Sequence, residues 1–167
     1  MSLKQNFRTE VNYSLKSKKN NHSDQYLLIG SCFASEMSLY FEKYCFGFLN
    51  PYGTIYNPIS LANNFKMLIN NESFTKKNLV KNNGVFQSWN HSGKYYSNSS
   101  ELLLKKINNE QEDTLKILKS NSNLFVTFGT SKLYILKETN QVVANCHRNI
   151  NTILSIKRAT VNEVVNS

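Results

Sequence analysis

The spacing of apolar residues changes character at one point in the chain, and the rest is read against it. Tyr26, Leu27, Leu28 and Ile29 form a continuous apolar run closed by Gly30, as a buried strand does. Beyond it, Phe33, Met37, Phe41, Tyr44 and Phe48 recur at three- and four-residue intervals, which predicts a helix over Phe33 to Tyr44 with those residues on its buried face. Ser31 therefore falls at a strand-to-helix turn. The backbone N–H groups and positive end of the following helix lie close to such a position.

The same reading continues along the chain. Met1 to Asp24 is mostly polar, with Phe7, Val11, Tyr13 and Leu15 as anchors for a short edge strand and Lys16 to Asp24 as a loop. Phe46 to Leu49 predicts a second short strand. Asn50-Pro51-Tyr52-Gly53 then reads as a structured loop, because proline disfavours helix at Asn50 and Gly53 tolerates positive φ. Asn57-Pro58 reads as an N-cap with proline in the first turn of a helix whose buried stripe is Ile59, Ala62, Phe65 and Ile69. Residues 70–100 are irregular and read as an insertion with a small aromatic core, with one or two short strands near Phe86 to Ser92. Glu101 to Ser120 predicts a long amphipathic helix buried along Leu104, Ile107, Gln111, Leu115 and Leu118. Leu124 to Gly129 predicts a strand, and Lys132 to Lys137 with Val142 to Asn145 a hairpin.

Strand and helix alternating in this order imply right-handed crossovers. The expected fold is a single α/β domain over 1–167, a three-layer sandwich around a mainly parallel sheet. Ligands of such sheets gather beyond the carboxyl ends of the strands, where Ser31, Gly53 and Thr130 all fall.

Composition narrows the picture. The chain has 167 residues, 40% of them hydrophobic, with ten Phe and nine Tyr, which excludes a mainly disordered polymer. A formal charge of +9 attracts anions in general. The lysines and arginines are scattered as pairs and singles and no nucleic-acid reading motif is present, so neither nucleic acid nor membrane is the expected partner. Three cysteines with no Cys-x-x-Cys suit a reducing compartment, and no apolar leader or spanning run occurs, so the expected location is cytoplasmic. Cys32, Cys146, His91 and His147 are zinc-ligand types, but their spacing fits no common zinc motif. Buried cysteines, no metal and no cofactor are expected.

Two uses of Ser31 remain open. Serine at the start of a helix commonly caps an orphan N–H, and serine on a strand-to-helix turn is also where a nucleophile is displayed. His91 reads either as a ligand-facing or as a turn residue, and His147 either as a base or as a loop-orienting group. Cys32 is a second conceivable nucleophile at the helix N-terminus. Tyr52, Trp89, Tyr95 and Tyr96 read as core residues or as platforms for a sugar ring, and a non-catalytic glycan-binding module is the alternative to an enzyme.

Gly30-Ser31-Cys32-Phe33-Ala34 resembles the signature of the GSCFA family. Phe7 to Val11, Asn50 to Thr54, Asn57-Pro58, Trp89 to Ser92, Phe128 to Thr130 and Val143 to His147 resemble further blocks of that family, in its order. The family is grouped with the SGNH, or GDSL-like, hydrolases, three-layer α/β proteins of which many are esterases. The resemblance implies hydrolysis of a small-molecule or carbohydrate ester, with Ser31 as nucleophile. It implies an oxyanion hole from the N–H groups of Ser31 and Gly53, with Thr130 or Asn145 in place of the group's usual side-chain amide. The group's Asp-x-x-His pattern does not occur, and the resemblance implies a further strand, helix and strand after Val165. The chain is thus expected to be the N-terminal part of a longer domain, with its base supplied by further sequence. By itself it would leave a sheet edge and an apolar patch uncovered and would associate through them.

Overall fold

The computed structural model describes residues 21–120, 122–148 and 153–167. The expected N-terminal edge strand and the block Phe7 to Val11 lie outside the described residues.

The first unit is the one the apolar pattern predicts. Strand β1 (Gln25–Gly30) leads into helix α1 (Cys32–Lys43), which returns to β2 (Gly47–Leu49). Helix α2 (Pro58–Ile69) follows the Asn50 to Asn57 loop. Next come β3 (Leu79–Asn82), β4 (Val85–Ser88), β5 (Tyr96–Ser97) and the long helix α3 (Ser100–Lys119). Strands β6 (Ser122–Thr127), β7 (Lys132–Leu136), β8 (Val142–Val143) and β9 (Leu154–Arg158) precede a short helix, α4 (Val161–Val165).

The fold is α/β, and its parallel part is a three-stranded sheet in the order β2-β1-β6. Alternation along β1 divides its neighbours. Tyr26 and Leu28 pack with Ala34, Met37 and Phe41 of α1, whereas Leu27 and Ile29 pack with Leu61 of α2 and Leu103 and Ile107 of α3. Helices thus cover both faces of this sheet.

The expectation of a mainly parallel sheet needs correction. Two further three-stranded sheets, β3-β4-β5 and β8-β7-β9, are antiparallel. Their physical reason is connection length: a parallel pair needs a crossover of a dozen or more residues, whereas β3 and β4 are joined by Asn83-Gly84 alone. Both residues have positive φ, +50° and +80°, as a two-residue hairpin turn of this hand requires. The segment 70–100 is accordingly a small sheet, and Trp89 packs it against Val143 and Leu154 of the third sheet.

The helices form where the apolar period places them, but their buried faces are rotated. On α1, Ala34 and Ser38 are buried, while Phe33 and Tyr44 are exposed. On α2 the buried face is Leu61, Asn64 and Leu68, and Ile69 projects to solvent. Asn64 is tolerated there because its amide pairs with Asn90: Asn64 Nδ2 donates to the Asn90 carbonyl at 2.8 Å and Asn90 Nδ2 to Asn64 Oδ1 at 3.0 Å. On α3, Ile107 and Gln111 are buried as expected, joined by Leu103 and Thr114.

Among the described residues, β6 is one of the two edges of the parallel sheet, with β2 the other. Leu124, Phe125 and Val126 are 45%, 42% and 39% exposed, although a central parallel strand would be buried on both faces. Among the described residues, no helix is long and apolar enough to cross a membrane.

Candidate active site

Ser31 is the N-cap residue of α1 in position, with extended backbone, but its side chain does not cap the helix. Its Oγ lies 3.0 Å from Thr127 Oγ1 at the end of β6, and its N–H donates to the Thr127 carbonyl at 3.1 Å and to Thr127 Oγ1 at 3.0 Å. Parallel pairing explains this partner, because Gly30 stands opposite Thr127 in register. Gly30 itself is at φ +129°, and a Cβ there would lie 1.9 Å from the Thr127 carbonyl oxygen. Only glycine lets β1 approach β6 this closely just before the serine.

Two loops close over the same place. Ile55 N–H donates to the Gly30 carbonyl at 2.6 Å, and the Gly129 and Thr130 N–H groups donate to the Tyr56 carbonyl at 2.8 and 3.1 Å. A Cβ on Gly129 would meet the Tyr56 ring at 2.6 Å and Ser31 Cβ at 3.3 Å, so a glycine is needed for both to fit. Ser31 is therefore 5% exposed, walled by Thr127, Gly129 and Tyr56. Thr127 and Tyr56 did not stand out in the sequence. The Phe128-Gly129-Thr130 block was the one signal in the sequence near Thr127, and the register that brings Thr127 to Ser31 is a feature of the fold.

The other expected site residues are distributed. Thr130 is exposed, and its Oγ1 accepts from Lys132 N–H at 3.1 Å while its own N–H is held by Tyr56. Gly53 has φ +64°, its N–H reaches the Asn50 carbonyl at 3.4 Å, and it lines a 250 Å³ cleft with Ser35, Asn50, Lys94 and Lys106 that Ser31 does not line. A Cβ at Gly53 would lie 2.2 Å from Ser92 Oγ, so close packing also demands this glycine. Asn145 lies elsewhere again: its Oδ1 accepts from His147 N–H at 3.0 Å, and it lines a separate cavity with Gly93 and His147.

Both histidines belong to the interior around β4. His91 Nδ1 is 2.7 Å from Ser88 Oγ, and its ring packs among Tyr52, Phe74 and Tyr95 at centroid distances of 5.5, 4.8 and 4.7 Å. Burial, with Lys106 and His147 adding to it, pushes its pKa down to about 3. His147 adopts φ +45° and its Nε2 donates to the Ser88 carbonyl at 2.8 Å. Burial lowers its pKa too, against the opposing effect of that bond. Both imidazoles are neutral near pH 7, and neither is a hydrogen-bond partner of Ser31 among the described residues.

Three of the four aromatics considered as sugar platforms, Tyr52, Trp89 and Tyr95, are buried in the core, and Tyr96 alone is exposed. The Tyr95 hydroxyl is within hydrogen-bond distance of the Pro51 carbonyl at 2.8 Å and Glu110 at 2.5 Å, which ties the Gly53 loop to α3. The expectation of buried cysteines is also corrected. Cys32 and Cys45 are exposed and Cys146 is half-buried, all three as free thiols. Cys32 points outward because Ala34 and Ser38, two and six residues on and so on the opposite side of the helix, face the sheet. Among the described residues, no three His, Cys, Asp or Glu side chains cluster as metal ligands.

Against known protein families, residues 25–167 match the model of the GSCFA family. No curated protein and no solved structure matches the chain.

Proposed function

The chain belongs to the GSCFA family, and from that premise we propose that it is an SGNH-type serine hydrolase acting on acyl esters, carbohydrate esters among them, with Ser31 as nucleophile. The observation that supports this reading is the Ser31 hydroxyl. It stands on the strand-to-helix turn, is not used as a helix cap, and is held 3.0 Å from Thr127 Oγ1.

In this reading Ser31 Oγ attacks the ester carbonyl carbon while a base takes its proton. Negative charge then develops on the former carbonyl oxygen. The Ser31 N–H is engaged by Thr127, so this charge is assigned to the first N–H groups of α1, at Cys32 and Phe33, which have no acceptor within the helix and sit at its positive end. The tetrahedral species collapses with release of the alcohol, and water then cleaves the acyl-Ser31 ester. Gly53, Thr130 and Asn145 are engaged elsewhere, with Asn50, Tyr56 and His147, and are not assigned this role. Thr127 orients the hydroxyl and is no base. His91 and His147 are held by Ser88 and neither pairs with Ser31 among the described residues, so neither is assigned as the base. Three free thiols suit the cytoplasm.

Reaction with a fluorophosphonate, followed by peptide mass spectrometry, tests the nucleophile. An adduct on Ser31 that disappears in Ser31→Ala is expected. Absence of any adduct, under conditions that label a reference serine hydrolase, refutes the assignment.

A further inference from the structure

A cavity of about 450 Å³ lies between the β3–β4 hairpin, β5 and the turn at Asn145 to Arg148. It shares no lining residue with the wall around Ser31. Its polar lining consists chiefly of neutral groups: the amides of Asn82, Asn83, Gln87 and Asn145 and the phenol of Tyr96, with Arg148 as the one fully charged side chain.

Two of these amides are oriented by the turn they face. Asn82 Nδ2 donates to the His147 carbonyl at 3.1 Å, and Asn145 Oδ1 accepts from His147 N–H at 3.0 Å. One acceptor, Asn82 Oδ1, and one donor, Asn145 Nδ2, are thereby left for something else. The turn is built for this, since His147 and Arg148 both hold positive φ, +45° and +65°. The side chains of Asn83, Gln87 and Tyr96 make no hydrogen bond with other described residues, and Tyr96 is 65% exposed. Gly93 keeps the wall beside Asn145 thin, with an added Cβ 3.6 Å from Asn145 Nδ2.

We propose that this cavity is a binding site for a polyhydroxylated ring, a mono- or disaccharide. Each side-chain amide offers a donor and an acceptor to neighbouring hydroxyls, and the exposed Tyr96 ring offers an apolar face with a polar tip to the ring's C–H surface. The volume falls in the range of small-ligand sites. Arg148 adds a fork of donors, and among the described residues no second cation and no acid lines the cavity, so a polyanion or a cation finds no match there. The site stands whether or not Ser31 is a nucleophile, because the two have separate walls.

Saturation-transfer NMR on the whole chain with glucose, cellobiose and N,N′-diacetylchitobiose tests it. Saturable binding of at least one sugar is expected, weakened about tenfold or more in Tyr96→Ala and in Gln87→Ala. Binding should persist in Tyr96→Phe, which keeps the ring, and in Ser31→Ala, which lies outside the cavity. No saturable signal at millimolar sugar overturns the proposal. Binding that survives both alanine variants, shown to be folded by circular dichroism, overturns it as well, since the sugar then sits elsewhere.

Discussion

Gly30→Ala adds one methyl group at the tightest backbone approach in the parallel sheet. The new Cβ would lie 1.9 Å from the Thr127 carbonyl oxygen, 2.8 Å from its carbon and 2.9 Å from its nitrogen, all main-chain atoms that no rotamer change can move. Relief requires the ends of β1 and β6 to separate. That breaks the bonds from Ser31 N–H to the Thr127 carbonyl and from Ile55 N–H to the Gly30 carbonyl, each worth about 1 kcal/mol. The residue must also leave or endure φ +129°, a strain of about 1–3 kcal/mol. Together these give a loss of about 3–5 kcal/mol, a large part of the roughly 5–15 kcal/mol by which domains are stable. Gly84→Ala is the internal comparison. Its φ is +80° but nothing lies within 4 Å of the added Cβ, so only the conformational cost of about 1–2 kcal/mol remains. Urea unfolding midpoints of both variants, compared at unchanged m, measure the difference. A Gly30→Ala loss no larger than that of Gly84→Ala refutes the reasoning that the close β1–β6 approach positions Ser31.

Three other outcomes follow from the same geometry. Unfolded histidine takes a proton near pH 6.5, whereas His91 in the fold stays neutral down to about pH 3. The unfolded state binds more protons between those values, so stability is complete above pH 6.5 and falls on acidification by up to about 1.4 kcal/mol per unit, with His147 acting in the same direction. Urea midpoints that stay flat from pH 7 to pH 5 would contradict the buried placement of both rings. Asn57→Ala removes the acceptor of Ser60 N–H at 2.8 Å at the start of α2 and should lower stability by about 1 kcal/mol, measured by the same unfolding curves. The edge of β6 exposes Leu124, Phe125 and Val126 with no charged residue from Ser122 to Ser131, so the chain should self-associate with rising concentration in sedimentation velocity, and Val126→Lys should reduce this. A wild-type chain that remains monomeric throughout would count against an open edge.

How far the sequence alone reached depended on the range of the interactions involved. The change of apolar period at Gly30-Ser31, the Asn57-Pro58 helix start and the hairpin near residues 132–145 rest on local chemistry, and all three were legible. So was the family, whose motifs are short and contiguous. The phase of α1 and of α2 was not. Phe33 and Ala34 are both apolar, as are Ile69 and Leu68, and a one-residue rotation satisfies the same period, so only the sheet beneath selects which is buried. The same limit hid the Asn64–Asn90 pair, two polar residues admitted to the core because each satisfies the other across 26 positions.

The candidate site divides along the same line. That a serine stands at a strand-to-helix turn is a statement about five consecutive residues, and the sequence determined it. That its hydroxyl meets Thr127, that Gly53 and Asn145 face other cavities, and that two histidines converge on Ser88 depend on which strands pair and in what register. Local propensities act through a few bonds and can be read in one dimension. Register, helix phase and burial are settled by apolar surfaces far apart in the chain excluding water together, and only the folded molecule shows which of them meet.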